Sequence, residues 1–147
     1  MKKLFILLAL IVSSYSYGQI ALPEGFTCSK KAGAKADKFT SGKFNFVCRD
    51  YHTSGLRENE LVRYLMNTTG IHPHLTTDGV FISTGRSNGK YRYTLVIPDW
   101  MVKIEINSET QDPQFTPHAK WLLHEVKKVI DNRGELYLTD HSGKKCS

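Results

Sequence analysis

Beyond residue 12 the 147-residue chain contains no apolar run approaching the roughly twenty residues that a membrane-spanning helix needs. It has no GxSxG, HExxH, P-loop or dinucleotide fingerprint, which removes the commonest enzyme signatures. Internal repeats and low-complexity tracts are also missing, so solenoids and disordered linkers are not expected. Only three cysteines occur, at positions 28, 48 and 146. The excess of basic over acidic residues is +6, too small and too scattered for a dedicated nucleic-acid binder. No motif names a family.

What is present begins with an export signal. Lys2 and Lys3 precede an apolar run from Leu4 to Val12, and small or polar residues follow as far as Ser16, Tyr17 and Gly18. That order is expected of a secretory signal peptide over residues 1–18, cleaved near Gln19. The run is too short for an anchor, and no cysteine follows it to accept a lipid. Residues 19–147 then form a single α+β domain, with a loose C-terminal tail from Asp140 onward. Loss of Lys2 and Lys3 brings the charge from +6 to +4. The expected location is secreted or periplasmic, with no transmembrane span after cleavage.

The domain is organised around Val80 to Asn107, which reads as three antiparallel strands, VFIST, KYRYTLVI and MVKIEIN. Their side chains alternate with the period of two of half-buried strands. A four-residue connection, Pro98 to Met101, sets Ile97 opposite Val102, Leu95 opposite Ile104 and Tyr93 opposite Ile106. The first hairpin is less determined. A five-residue Gly85–Gly89 turn pairs Ile82 with Arg92, and a bulge would move it beside Tyr91. Arg92, Lys103 and Glu105 fall on the outward, solvated face.

The flanking elements follow from local pattern. Ile20–Phe26 reads as an extension or short edge strand, Lys30–Lys38 as a solvated Lys-rich loop, and Lys43–Arg49 as a strand burying Phe44, Phe46 and Cys48. Gly55–Asn67 has helical periodicity, with Thr53 or Ser54 as cap and Gly70 as left-handed stop. Thr116 and Pro117 open a second amphipathic helix running to about Asn132. Glu135–Thr139 is one more edge strand. The expected fold class is a two-layer α+β sandwich, a mostly antiparallel sheet of about five to six strands with two helices packed on one face.

Candidate chemistry is sparse. In an oxidising compartment two of the three cysteines pair, and Cys28 with Cys48 is the expected bridge, closing nineteen residues for about 3 kcal/mol; Cys146 is the alternative partner for either. Cys48 with His52 would be the only nucleophile and base pair. His72 and His74 flank Pro73 as a two-residue ligand spacing, with Asp78, His52, His118 or His124 as distant third ligands. Acid–base hydrolysis would draw on Asp78, Asp99, Glu105 and Glu109. No catalytic residue, metal or cofactor is assigned from these.

Trp121 lies about 140° from the centre of the second helix's apolar arc, among His118, His124, Glu125 and Lys128. Large aromatics off the core-facing arc mark binding surfaces, unless a loop or the N-terminal extension folds over them. The first functional expectation is a non-enzymatic secreted or periplasmic binding module, in the manner of an inhibitor or toxin-neutralising protein. Its partner is a protein or cell-envelope component, not nucleic acid, and it docks on Trp121, His118, His124, Glu125 and Lys128. The alternatives are a small metal-dependent or acid–base envelope hydrolase, and a carrier holding an apolar ligand against Tyr91, Tyr93 and Leu95.

Overall fold

The structure, a computed structural model, describes residues 18–70, 72, 74–75, 79–87, 89–109, 115–130 and 136–146. The expected signal segment as far as Tyr17, Pro73, Asp78 and the expected end of the second helix at Asn132 lie outside the described residues. The strands are β1 (Gln19–Ala21), β2 (Thr27–Cys28), β3 (Ala36–Ser41), β4 (Phe44–Asp50), β5 (His74–Leu75), β6 (Phe81–Ser87), β7 (Lys90–Ile97), β8 (Val102–Ser108) and β9 (Tyr137–Thr139). Two helices, α1 (Glu58–Thr69) and α2 (Phe115–Val129), complete the α+β fold. The main sheet has seven antiparallel strands in the order β2-β3-β4-β8-β7-β6-β5, and β1 pairs with β9 in a separate two-stranded parallel sheet.

The β7–β8 register is the expected one: Ile97 faces Val102, Leu95 faces Ile104 and Tyr93 faces Ile106. A single 3₁₀ turn, Pro98–Trp100, makes the connection and ends at Met101 in the left-handed region with φ of 50°. A non-glycine residue there costs on the order of 1 kcal/mol. Burial of Met101 beside α1 and the hydrogen bond from the Tyr51 N–H to its carbonyl, 2.7 Å, offset that cost.

The first hairpin departs from both expected registers. Ser87 pairs with Lys90, Gly85 with Arg92 and Ile82 with Leu95, so β6 runs through Gly85–Ser87 and the ladder extends to Ser87 and Lys90. The sequence there is Asn88-Gly89, the strongest short hairpin signal, and Gly89 has φ of 75°. Gly85 looked like the turn glycine and is a strand residue.

The Lys-rich segment is also more than a loop. Ala36–Ser41 pairs along its length with β4, and Phe39 is wholly buried while Lys38 stays exposed. One apolar residue per turn of alternation was enough to hold a strand that its neighbours made look solvated.

The two helices divide between the sheet's faces rather than sharing one. Leu95 and Ile97 join Ile82, Phe39, Phe46, Val102, Ile104 and Ile106 in a core that takes Ala119, Leu122 and Val126 of α2. Val96 points the other way, is equally buried, and packs with Leu61 and Leu65 of α1, Tyr51 and Met101. The unbroken run Leu95-Val96-Ile97 is the physical reason, since consecutive buried residues on a strand need cover on both sides. Near α2 the cover is shared with Ile20 of β1, Leu138 of β9 and their neighbours Leu22 and Leu136, which belong to the same core.

Helix ends explain the element bounds. α1 starts at Glu58 behind Arg57, where the Arg57 N–H donates to the Glu60 carboxylate at 2.9 Å. Ser54 serves the preceding turn instead, donating to the Tyr51 carbonyl at 2.6 Å. Gly70, with φ of 67°, stops the helix as expected, and its N–H reaches the Met66 carbonyl. α2 begins at Phe115, so Thr116 and Pro117 fall in its first turn.

The disulfide joins Cys28 to Cys146, with Cα atoms 5.6 Å apart, and Cys48 is free and buried. The Cys28–Cys48 expectation is overturned by strand order. β2 and β4 flank β3 on opposite sides, so their residues stand two strand spacings apart, about 9.6 Å, beyond the roughly 6.8 Å a bridge tolerates. The tail expected to be loose is tethered by this bond. It also turns about Asp140, whose carboxylate accepts from the Ser142 and Lys144 N–H groups at 2.9 and 2.8 Å. Among the described residues no helix is long and apolar enough to cross a membrane.

Candidate functional site

On the α1 side of the sheet, strand alternation lays polar side chains in rows across β4, β8, β7 and β6. One row reads Asn45, Asn107, Arg92, Gly85; the next reads Val47, Glu105, Thr94, Ser83; the third reads Arg49, Lys103, Val96, Phe81. α1 packs on the apolar end of the third row. The first two rows leave a cavity of about 270 Å³ beside the helix C-terminus.

The cavity floor is Ser83, Gly85, Arg92 and Thr94, and its rim is Thr69, Gly70 and His72. Thr84 and Arg86 also border it, but alternation sends their side chains to the other face, where the Arg86 guanidinium lies 5.3 Å over the Tyr91 ring. Gly85 has a strand conformation, and nothing lies within 4 Å of where its Cβ would be. The missing side chain is part of what keeps the space open.

The polar residues here are not the solvated sheet surface expected from sequence. Lys103 and Glu105 are each only 8% exposed and Thr94 is 1% exposed. Lys103 Nζ holds Glu105 Oε1 at 3.0 Å, while Arg92 Nη1 stands 4.0 Å from the same oxygen, an ion-pair contact too long for a hydrogen bond. Among the described residues, Arg92 Nε and Thr94 Oγ1 are buried without any hydrogen-bond partner. Leaving such groups unsatisfied costs about 1–3 kcal/mol each, and both residues line the cavity.

The surface around Trp121 is organised differently from the expectation. Trp121 is half-buried against the α2-side core, with its ring 5.9 Å from that of Phe46 in an edge contact. His118 is half-buried among Phe26, Phe44 and Phe46, with ring centroids 6.0, 4.8 and 6.1 Å away. Phe26 of the N-terminal extension thus reaches this side of the helix. Of the five residues, His124 and Lys128 are exposed, and Lys128 pairs with Glu125 at 2.9 Å. The helix brings all five onto neighbouring turns, but its two aromatic rings face protein.

The remaining candidates are separated. The Cys48 thiol is pushed up to about 12 by burial and faces the Leu138 backbone, whereas His52 is exposed and its Nδ1 meets Asp50 at 2.6 Å. A neutral thiol of that kind is no nucleophile at physiological pH. Among the described residues no three His, Cys, Asp or Glu side chains are grouped to hold a metal ion. Glu109 pairs with Lys90 at 3.8 Å and Glu105 with Lys103 at 3.0 Å, each carboxylate meeting a lysine. Leu95 lies in the packed core with Leu122 and Val126, and burial raises the Tyr93 phenol above its ordinary value.

Fold and site together describe an α+β protein with a polar, partly unsatisfied cavity beside a helix C-terminus. Comparison with protein-family models, with curated proteins and with solved structures finds no match to this chain.

Sequence reasoning missed Thr94, Arg92 and Gly85 as site residues. Two signals bear on them. Asn88-Gly89 fixes the hairpin and thereby sets Gly85 opposite Arg92, and the buried run Leu95-Val96-Ile97 demands a covered second face.

Proposed function

We propose that the chain is an exported, non-enzymatic binding module and that it takes a small polar group of its ligand into the cavity between α1 and β6–β7. The observation that carries this reading is the pair of buried groups without partners, Arg92 Nε and Thr94 Oγ1, at the cavity floor. Their unmet hydrogen bonds are a built-in source of binding energy and of specificity for a polar group. Export is supported by the basic and apolar order of residues 2–12 and by the Cys28–Cys146 bond, since such bonds persist in oxidising compartments. The expected partner remains a protein or envelope component, presenting that group.

The test is amide NMR against a panel of small neutral, anionic and cationic polar probes. Saturable shifts are expected at the amides of 83–85 and 92–94 for at least one probe, and they should vanish in Gly85→Val, which fills the cavity from a compatible strand position. No panel member shifting these amides, or shifts that persist in Gly85→Val, would remove the proposal.

A further inference from the structure

The charges around the cavity are unequal. Buried Lys103 and Glu105 and half-buried Arg92 form one cluster in which two cations share a single carboxylate oxygen, Glu105 Oε1. Lys103 takes that oxygen at 3.0 Å and leaves Arg92 at 4.0 Å with its Nε unpaired. Among the described residues the cluster is therefore short of one negative charge, and the group short of it is the one that lines the cavity. No carboxylate is among the described residues lining that space.

Resting on the binding reading above, we infer that the group received is a singly charged oxyanion, a carboxylate or a phosphodiester, held by the Arg92 guanidinium and the Thr94 hydroxyl. Both donors have the chemistry for it. Guanidinium hydrogen bonds to oxyanions are charge-assisted and directional, and a hydroxyl donates into the same acceptor. The Ser83 hydroxyl lies in the row beside Thr94 and supplies a further donor on the floor. A volume of about 270 Å³ equals roughly nine water shares, enough for either headgroup and too small for a large ligand.

The end of α1 opposes this weakly. A helix C-terminus carries about half a negative charge, against the whole positive charge left over at the floor. Local caps already occupy its last carbonyls: Thr68 Oγ1 donates to the Tyr64 carbonyl at 2.8 Å, Thr69 Oγ1 to that of Leu65 at 2.6 Å, and the Gly70 N–H to that of Met66. The net field at the floor favours an anion.

The experiment uses the oxidised protein at constant ionic strength, with acetate, dimethyl phosphate, chloride, methylammonium and glucose as probes, read by amide NMR and thermal shift. Saturable effects at 83–85 and 92–94 are expected from acetate or dimethyl phosphate and not from chloride, methylammonium or glucose. Acetate alone points to a carboxylate-bearing partner such as an acidic peptide; dimethyl phosphate alone points to a phosphodiester headgroup. Arg92→Gln should weaken binding about tenfold or more, and Gly85→Val should abolish it. Thr94→Val gives a readout independent of any ligand: it should raise the unliganded thermal midpoint, because it removes a buried hydroxyl without a partner, while reducing the oxyanion response. Oxyanion binding unchanged in Arg92→Gln overturns the inference. Glucose or methylammonium binding at these amides, with no oxyanion effect, overturns it too but leaves the binding module standing, whereas silence from every probe overturns both.

Discussion

Replacing Cys146 by serine opens the Cys28–Cys146 link, which spans 118 positions of sequence. In the chain-entropy model, releasing a loop of that length costs about 5 kcal/mol, against about 3 kcal/mol for the nineteen-residue loop of a Cys28–Cys48 bridge. A domain of this size has about 5–15 kcal/mol in total, so the variant should sit close to its unfolding threshold. Guanidinium titration reads the effect. The midpoint should fall and the slope should rise, because the unbridged denatured chain exposes more surface than the bridged one. Cys48 is the internal control: in the parent protein its buried, neutral thiol should resist alkylation in the native state and take one equivalent of reagent on unfolding without reductant. A non-reducing peptide map that links 28 to 48, or a Cys146→Ser midpoint and slope equal to those of the parent, would refute the reasoning.

Leu65→Ala and Leu122→Ala should each cost about 2–5 kcal/mol, and the double variant should equal their sum within about 0.5 kcal/mol, because the two side chains lie in cores on opposite faces of the sheet. A coupling well above that size, measured by urea unfolding, would mean that they share one core. Trp121→Ala should cost about 2 kcal/mol through its lost contact with Phe46, less than full burial would give, and an unchanged midpoint would return the ring to solvent. Asp140 is held below the usual carboxylate range, first by the Ser142 hydroxyl and then by the Lys144 N–H. Its contribution is therefore complete above the ordinary aspartate pKa of about 3.9 and fades as pH falls through the lower folded-state value. Asp140→Asn should flatten the acid limb of the stability curve over that window, and identical limbs would rule the linkage out.

The sheet was legible where pattern and turn agreed. Pro98–Met101 fixed one register, and every pair expected across it is present. The α+β class, both helices, the Gly70 stop and the β4 face were readable for the same reason: each rests on local periodicity. What failed was non-local. Which cysteine meets Cys28 depends on strand order, which alternation does not encode. The helical wheel set Trp121 on the wet face, but the ring packs against Phe46, and the Phe26 segment that reaches this side comes from ninety-odd residues upstream. The site was hidden for a related reason. Arg92, Lys103 and Glu105 alternate like solvated residues, yet on the second covered face Lys103 and Glu105 are buried and Arg92 is half-buried.

The pairing of β1 with β9 sets the order in which this chain can acquire its structure. Residues 19–21 are synthesised more than a hundred residues before their strand partner, 137–139. Until that distant segment emerges, Ile20 and Leu22 have no ladder to join, and the core beside α2 lacks one wall. A contact of such sequence separation forms late and slowly. The finished state is thus withheld until residues 136–146 have been made, and the bond from Cys28 to Cys146 then locks β2 to the segment that follows β9. A chain built this way stays threadable for as long as it is incomplete.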